Sequence, residues 1–455
     1  MFKPCAALRL CAALLGAIAA PALPAAGTPR EPVPAAEAAA QQPVSQHSLC
    51  AGPFDAEAVL RCALSSSPEL RLARQELAVV AGRRRSASTL LPAHPVVTAS
   101  VADRRLFRGA PQEPQTPALN WYVTLSQEIE IAGQRGARIK ESEAETAAQL
   151  RRVAVAEQEV AASALSAYYE VLAAAEEVRL TEDITRIADA LAAASAARAK
   201  EALLAPVDAD VARSEAVRIA LGRFEAERRH AAAQAVLASL LGVPGPLAVA
   251  GSLDQVLPAA PTAEPIEPRV LSALAVRGEI AAAEQERKMR MARVSLLRRL
   301  RAPNPTLSVF AQSDGFNERV LGGGVSLPLF LPAPLGPSRA GEIGAALAQI
   351  EQADTSLEQV RRRVRMEVTR AVQAEQTFAR ELQLFPPDLT TRARADLQAI
   401  GQALSARQLA IREALLAQRS LIELLQAHIR SRLAFALARV ERMRAAGQPL
   451  AGGTP

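Results

Sequence analysis

The chain has 455 residues, a formal charge of +6, and only 3% aromatic residues within a hydrophobic share of 50%. So few aromatics argue against the thick core of a large enzyme. The abundant Ala, Leu, Arg, Glu and Gln, all strong helix formers, point to long helices lying close together. Positive charge is dispersed along those helices, without a compact basic patch or interleaved aromatics, which argues against a nucleic-acid surface.

Residues 1–26 read as a secretory signal. Lys3 and Arg9 precede an apolar stretch over 10–20, too short to span a bilayer, and small residues follow around Ala20-Pro21-Ala22. The mature chain is expected to begin between Leu23 and Gly27. Neither Cys11 nor Cys50 follows a small residue in the pattern of a lipid-attachment site. Export leaves Cys50 and Cys62, an even pair in an oxidising compartment, which favours a disulfide over two free thiols. Residues 27–53, rich in Pro, Ala, Gln and Ser, form an extended lead-in.

A first structural repeat is expected over residues 54–255. Val59, Leu60, Leu64, Leu70, Leu77 and Val80 recur at helical spacing until Pro92 and Pro95 stop the helix. The period then changes to two. Over 119–131, Leu119, Trp121, Val123, Leu125, Ile129 and Ile131 alternate with Asn120, Tyr122, Thr124, Ser126, Glu128 and Glu130. With the weaker strand starting at Val96, this gives a β-hairpin over 96–131. A long helical hairpin follows over 136–242. Its first arm has no Pro or Gly between Gly136 and Ala202, a length of about 100 Å if helical. Ala147, Ala148, Ala161, Ala162, Ala167, Ala173 and Ala174 along it permit close helix approach. The hairpin turns at Pro206, where Asp208 and Asp210 suit a helix N-terminus.

After a linker over 256–267, residues 268–446 repeat the plan. Ala302-Pro303-Asn304-Pro305 echoes Pro92-Ala93-His94-Pro95 and leads into a second β-hairpin over 305–331. A second long helical hairpin over 338–446 is interrupted at Pro386-Pro387 and is expected to turn near Gly401, Ser405 and Arg407. Residues 447–455 form a flexible tail. This internal duplication decides the architecture. Four strands cannot close a barrel, and open sheet edges are not tolerated in lipid, so closure needs several copies. In such a barrel Trp121, Val123 and Leu125 face the membrane, while Tyr122, Glu128 and Glu130 face a watery lumen.

Catalytic chemistry is not evident. His47, His94, His230 and His428 are scattered, and none has a partner at metal-ligand spacing. Met289 and Met291 form no copper-type cluster. Gly322-Gly323-Gly324 sits inside a strand and lacks the Lys and Ser/Thr of a phosphate loop. No nucleophile–base set or cofactor motif appears, so neither an enzyme, a cofactor nor a metal site is expected.

In its ordered motifs the chain resembles the TolC family of outer-membrane efflux channels across nearly the whole mature length. The carrying segments are Leu64-Ser65-Ser66-Ser67-Pro68-Glu69-Leu70, the His94-Pro95 and Asn304-Pro305 pairs, Gly133-Gln134-Arg135-Gly136-Ala137-Arg138, Leu240-Leu241-Gly242 and Arg277-Gly278-Glu279-Ile280. His94 stands where the family usually has Asn, and Gly278 where it has Pro, the mark of a divergent member. The resemblance implies a mainly α fold with a small β-barrel part: a homotrimer with a twelve-stranded barrel in the outer membrane and a helical tunnel in the periplasm. It also implies a periplasmic adaptor and an inner-membrane pump as partners, with metal ions or small toxic compounds passing passively. The Gly133-Gln134-Arg135-Gly136 junction and the Pro386-Pro387 break look most like the heavy-metal branch of resistance-nodulation-division systems. A type I protein-secretion outlet shares the fold. A periplasmic coiled-coil adaptor or scaffold would instead show one helical hairpin flanked by β-domains.

Overall fold

Long uninterrupted helix-forming runs become long helices, and the two alternating segments become hairpins of a single sheet. The computed structural model describes Cys50 and residues 52–104, 118–256, 265–313, 318–329, 339–405 and 410–450. The expected signal, nearly all of the lead-in, Arg407 and the last five residues of the tail lie outside the described residues. The elements, in order, are α1 (Ala56–Ser66), α2 (Pro68–Ala87), β1 (Val96–Arg104), β2 (Ala118–Glu128), α3 (Gln134–Lys200) and α4 (Pro206–Leu241). Then follow α5 (Ile266–Val276), α6 (Gly278–Arg299), β3 (Thr306–Ser313), β4 (Val320–Ser326), α7 (Ala340–Leu382), α8 (Pro387–Ser405) and α9 (Ile411–Ala445).

The opening helix of each repeat is two helices, bent at one extended residue: Ser67 (φ −52°, ψ 127°) and Arg277 (φ −58°, ψ 127°). Pro68 accounts for the first bend, because a proline disfavours helical backbone in the residue before it. The second bend has no proline and is held by a side chain. Arg277 is buried and pairs with Glu279 and with Glu367, the latter at 3.0 Å. It also donates to the carbonyls of Arg444 (3.2 Å) and Ala445 (2.9 Å) at the end of α9. In the first repeat the hydroxyl of Ser66 donates to the last carbonyl of α4, Leu241 (2.6 Å). Each bend therefore caps the orphan carbonyls of its own repeat's last long helix.

Two boundaries differ from expectation. α5 begins at Ile266, inside the expected linker, with Pro268 in its first turn, where no N–H is needed. α8 runs through Gly401 to Ser405 without turning at the glycine. One glycine costs a helix only about 1 kcal/mol, and the neighbouring Leu397 and Ile400 are buried.

α3 has 67 residues, about 100 Å of helix. Ala148, Ala161, Ala162, Ala167 and Ala173 are buried along it, and Ala147 and Ala174 are half-buried. The largest core lies mid-helix around Tyr168, whose phenol donates to Ala250 O (2.8 Å). Gly251 (φ 136°) faces that phenol with no room for a Cβ. Interspersed Arg and Glu on the exposed helix faces pair between neighbouring helices. Arg74–Glu157 (2.9 Å) and Arg84–Glu143 (3.3 Å) join α2 to α3, Arg293–Glu141 (3.4 Å) joins α6 to α3, and Arg361–Glu284 (3.0 Å) joins α7 to α6. Such exposed pairs contribute little energy each.

The four strands form one antiparallel sheet in the order β1-β2-β3-β4. β2 pairs with β3, so the two hairpins lie side by side and leave β1 and β4 as free edges.

Candidate functional site

The register sorts the sheet's side chains onto two faces. Opposite one another stand Val97, Leu125, Val309 and Gly323; Ala99, Val123, Ala311 and Leu321; and Leu307 with Val325. Side chains on paired residues share a face, so these make one continuous apolar surface with Trp121 and Val101 at one end. Nothing among the described residues covers it: exposure of its large aliphatic residues runs from 39% at Leu119 to 79% at Leu321. A soluble sheet buries such a face, and an exposed patch of this kind marks an interface with apolar surroundings.

The opposite face carries Thr98, Ser100, Asn120, Tyr122, Thr124, Ser126, Ser308, Phe310 and Gln312. Tyr122 and Phe310 meet there, ring centroids 5.8 Å apart, and Phe310 lies over Gly322, which has no space for a Cβ. The glycine that admits its ring is sequence-distant and becomes visible only with the Phe310↔Gly322 register.

The rim next to the helices is held by a buried polar chain. Gln134 donates to the side-chain oxygen of Asn304 (2.8 Å) and accepts from Ala132 N–H (2.8 Å); Asn304 in turn donates to Glu128 (2.7 Å). Glu128 thus ends β2 at the rim. Glu130, expected beside it on the polar face, lies past the end of the strand, its carboxylate almost fully buried and paired with Arg138 of α3. The strand stops before the alternation over 119–131 does, because β3 begins only at Thr306. The last bond of this ladder is Ile129 N–H to Pro305 O (2.9 Å).

At the far end of α3 the chain reverses at Ala202, held in the left-handed region (φ 58°). Pro206 opens α4 at N1, Asp208 lies in its first turn and Asp210 is exposed. Leu203, Val207 and Val211 are exposed apolar residues around that tip. Gly401 and Ser405 belong to the last turns of α8, close to the second reversal. Cys50 and Cys62 form a disulfide that pins the end of the lead-in to α1.

Where α7 gives way to α8, a cavity of about 630 Å³ lies between α3, α8, α9 and the turn at Leu253–Val256. Buried Arg432 pairs there with Glu176 (2.7 Å) and Asp254 (2.8 Å). His428 packs against Phe385 at the break, ring centroids 5.3 Å apart. Burial, reinforced by Arg432, pushes the imidazole below its ordinary value. Among the described residues, no three His, Cys, Asp or Glu side chains converge on a metal position, and no helix is long and apolar enough to cross a membrane.

No protein-family model matches the chain. It is 26% identical over 309 residues to the cobalt-zinc-cadmium resistance protein CzcC of Cupriavidus metallidurans, covering 67% of this chain and 68% of that protein. Its fold is that of the outer-membrane channel OprN (TM-score 0.70, 18% identity, 88% of this chain and 91% of the other). It is equally that of the outer membrane channel CmeC of Campylobacter jejuni (TM-score 0.70, 15% identity, 88% of this chain and 87% of the other).

Proposed function

We propose that this chain is the outer-membrane exit duct of a tripartite efflux system. Three copies close a twelve-stranded barrel in the membrane and continue as a helical tunnel in the periplasm. The observation that carries this reading is the uncovered apolar face of a four-stranded sheet joined to a helix about 100 Å long. Trp121, Val123 and Leu125 face lipid, with Trp121 at the rim away from the helices, where aromatic side chains favour the membrane interface. β2, with 11 residues at about 3.3 Å each and tilted by about 40°, rises about 28 Å, close to the apolar band of an outer membrane. Tyr122 lines the lumen, and Glu128 its inner rim.

Transport through the duct is passive. An inner-membrane pump supplies the work and a periplasmic adaptor seals the joint. The helix tips, with Pro206, Asp208 and Asp210 in one repeat and Gly401 and Ser405 in the other, form the periplasmic entrance. The exposed Leu203, Val207 and Val211 give the adaptor an apolar surface to grip. Likeness to a cobalt-zinc-cadmium resistance protein favours metal ions as cargo.

Trp121 is the chain's single tryptophan, so the intact protein tests the reading without substitution. In vesicles, lipids brominated near the headgroup should quench its emission more than lipids brominated deep in the acyl chains. The detergent extract should weigh three mature chains, and the cell-fractionated protein should travel with outer membranes. Unquenched emission from a soluble single chain would overturn the proposal.

A further inference from the structure

The two hairpins repeat each other in register as well as in sequence. His94-Pro95 opens β1 and Asn304-Pro305 opens β3, so Val96 corresponds to Thr306. Val96 pairs with Ser126 and Thr306 with Ser326, so Ser126 corresponds to Ser326. The β2–β3 pairing is therefore an in-chain template for the two free edges. Carrying Ser126↔Ser308, Leu125↔Val309 and Val123↔Ala311 across the repeat gives Ser326↔Thr98, Val325↔Ala99 and Gly323↔Val101.

We infer that β4 of one copy joins β1 of the next, antiparallel, in the register Val325↔Ala99. This rests on the reading that several copies close a barrel, and it specifies the seam. Three features of the single chain agree with it. First, the register keeps Val325 and Leu327 on the face of Ala99 and Val97; a slip of one residue would set Val325 beside Thr98 or Ser100 and turn the strand over. Second, β2 runs two residues beyond Ser126 because β3 holds it, whereas β4 stops at Ser326, with Leu327 and Leu329 exposed beyond it. In the inferred seam Leu329 N–H reaches Pro95 O of the next copy, as Ile129 N–H reaches Pro305 O within the chain. Third, Pro328 costs the seam nothing. Backbone N–H groups alternate sides along a strand, so the one that Pro328 lacks would point away from the seam, towards β3.

The seam is also the weaker junction. Within the chain Asn304 donates to Glu128. At the seam the corresponding residues are His94 and Pro328, which cannot form that bond.

The test is oxidative cross-linking of the full chain carrying Ala99→Cys and Val325→Cys. Cα atoms of directly paired residues fall within disulfide reach. The in-chain counterpart, Leu125→Cys with Val309→Cys, is the folding and geometry control, and should close within one chain. The expected result for Ala99→Cys with Val325→Cys is a covalent ladder ending at a closed species of three chains. Preferential bonding of Ala99→Cys to Gly323→Cys or Leu327→Cys, the nearest slips that keep the face, would overturn the register and leave the channel reading standing. No bond between chains for any pair, with the control oxidised and the protein a single chain, would overturn both.

Discussion

Replacing Arg277 with Ala removes a side chain that joins the α5–α6 bend, α7 and the end of α9. Its guanidinium is 3% exposed, holds the carboxylates of Glu279 and Glu367, and donates to two terminal carbonyls of α9. Its backbone lies in a region open to any residue, so alanine introduces no strain there. Breaking a buried ion pair from one side costs about 3–5 kcal/mol. The two carboxylates keep roughly a quarter of their side-chain exposure and regain some hydration, which favours the low end, about 3 kcal/mol. Uncapping the α9 carbonyls adds about 1 kcal/mol. The expected loss is thus about 4 kcal/mol, seen as a lower Tm in detergent and as early proteolysis near Ala445. Arg277→Lys keeps the charge but cannot reach four acceptors at once, and should lose about half as much. Adding Glu367→Gln to the alanine variant should recover part of the loss, because it removes a carboxylate left without Arg277, although Arg444 (3.3 Å) still uses that group. An Arg277→Ala protein that melts with the wild type and protects its C-terminal helix equally would refute the reasoning.

Other outcomes follow from the same geometry. Cys50 and Cys62 are 12 residues apart, and closing so short a loop stabilises by about 3 kcal/mol in the chain-entropy view. Reduction should expose α1 to protease while the α3–α4 hairpin stays protected, and simultaneous loss of both would contradict the local role. Ala202→Gly should raise stability by about 1 kcal/mol, because the left-handed backbone there (φ 58°) costs alanine and not glycine; a lower Tm would count against it. His428 has its pKa lowered by burial, so the unfolded chain binds its proton first. Stability at this site is complete above about pH 6.5 and is lost as pH falls through the lower folded value. His428→Gln should flatten that part of the Tm–pH curve, and an unchanged slope would assign it elsewhere.

Much of this was legible in the sequence because it is periodic. The alternation from Leu119 to Leu125 identifies a two-faced strand, and the paired His94-Pro95 and Asn304-Pro305 reveal the repeat. What escaped depends on distant partners. β2 ends at Glu128 because β3 begins at Thr306, so Glu130 turns to Arg138 although its own pattern continues. The Arg277-Gly278 bend carries no proline, and its arginine acts on groups 90 and 168 positions away. Gly401 looked like a turn, but the buried Leu397 and Ile400 carry the helix through it. The disulfide was accessible because its two residues are close in sequence and the expected export favours their oxidation.

The two long hairpins differ in one mechanical respect. α3 is a single rod of 67 residues from sheet to tip, whereas the corresponding arm of the second repeat is divided between α7 and α8 by residues 383–386. A rod resists bending along its whole length; a jointed arm bends at its joint. Phe385 and His428 sit at that joint, and beyond it α8 packs back on α3 through Leu397 and Ile400, with Arg394 3.7 Å from Glu176. If several copies assemble as proposed, the second arm of each is the one with a joint at which to bend.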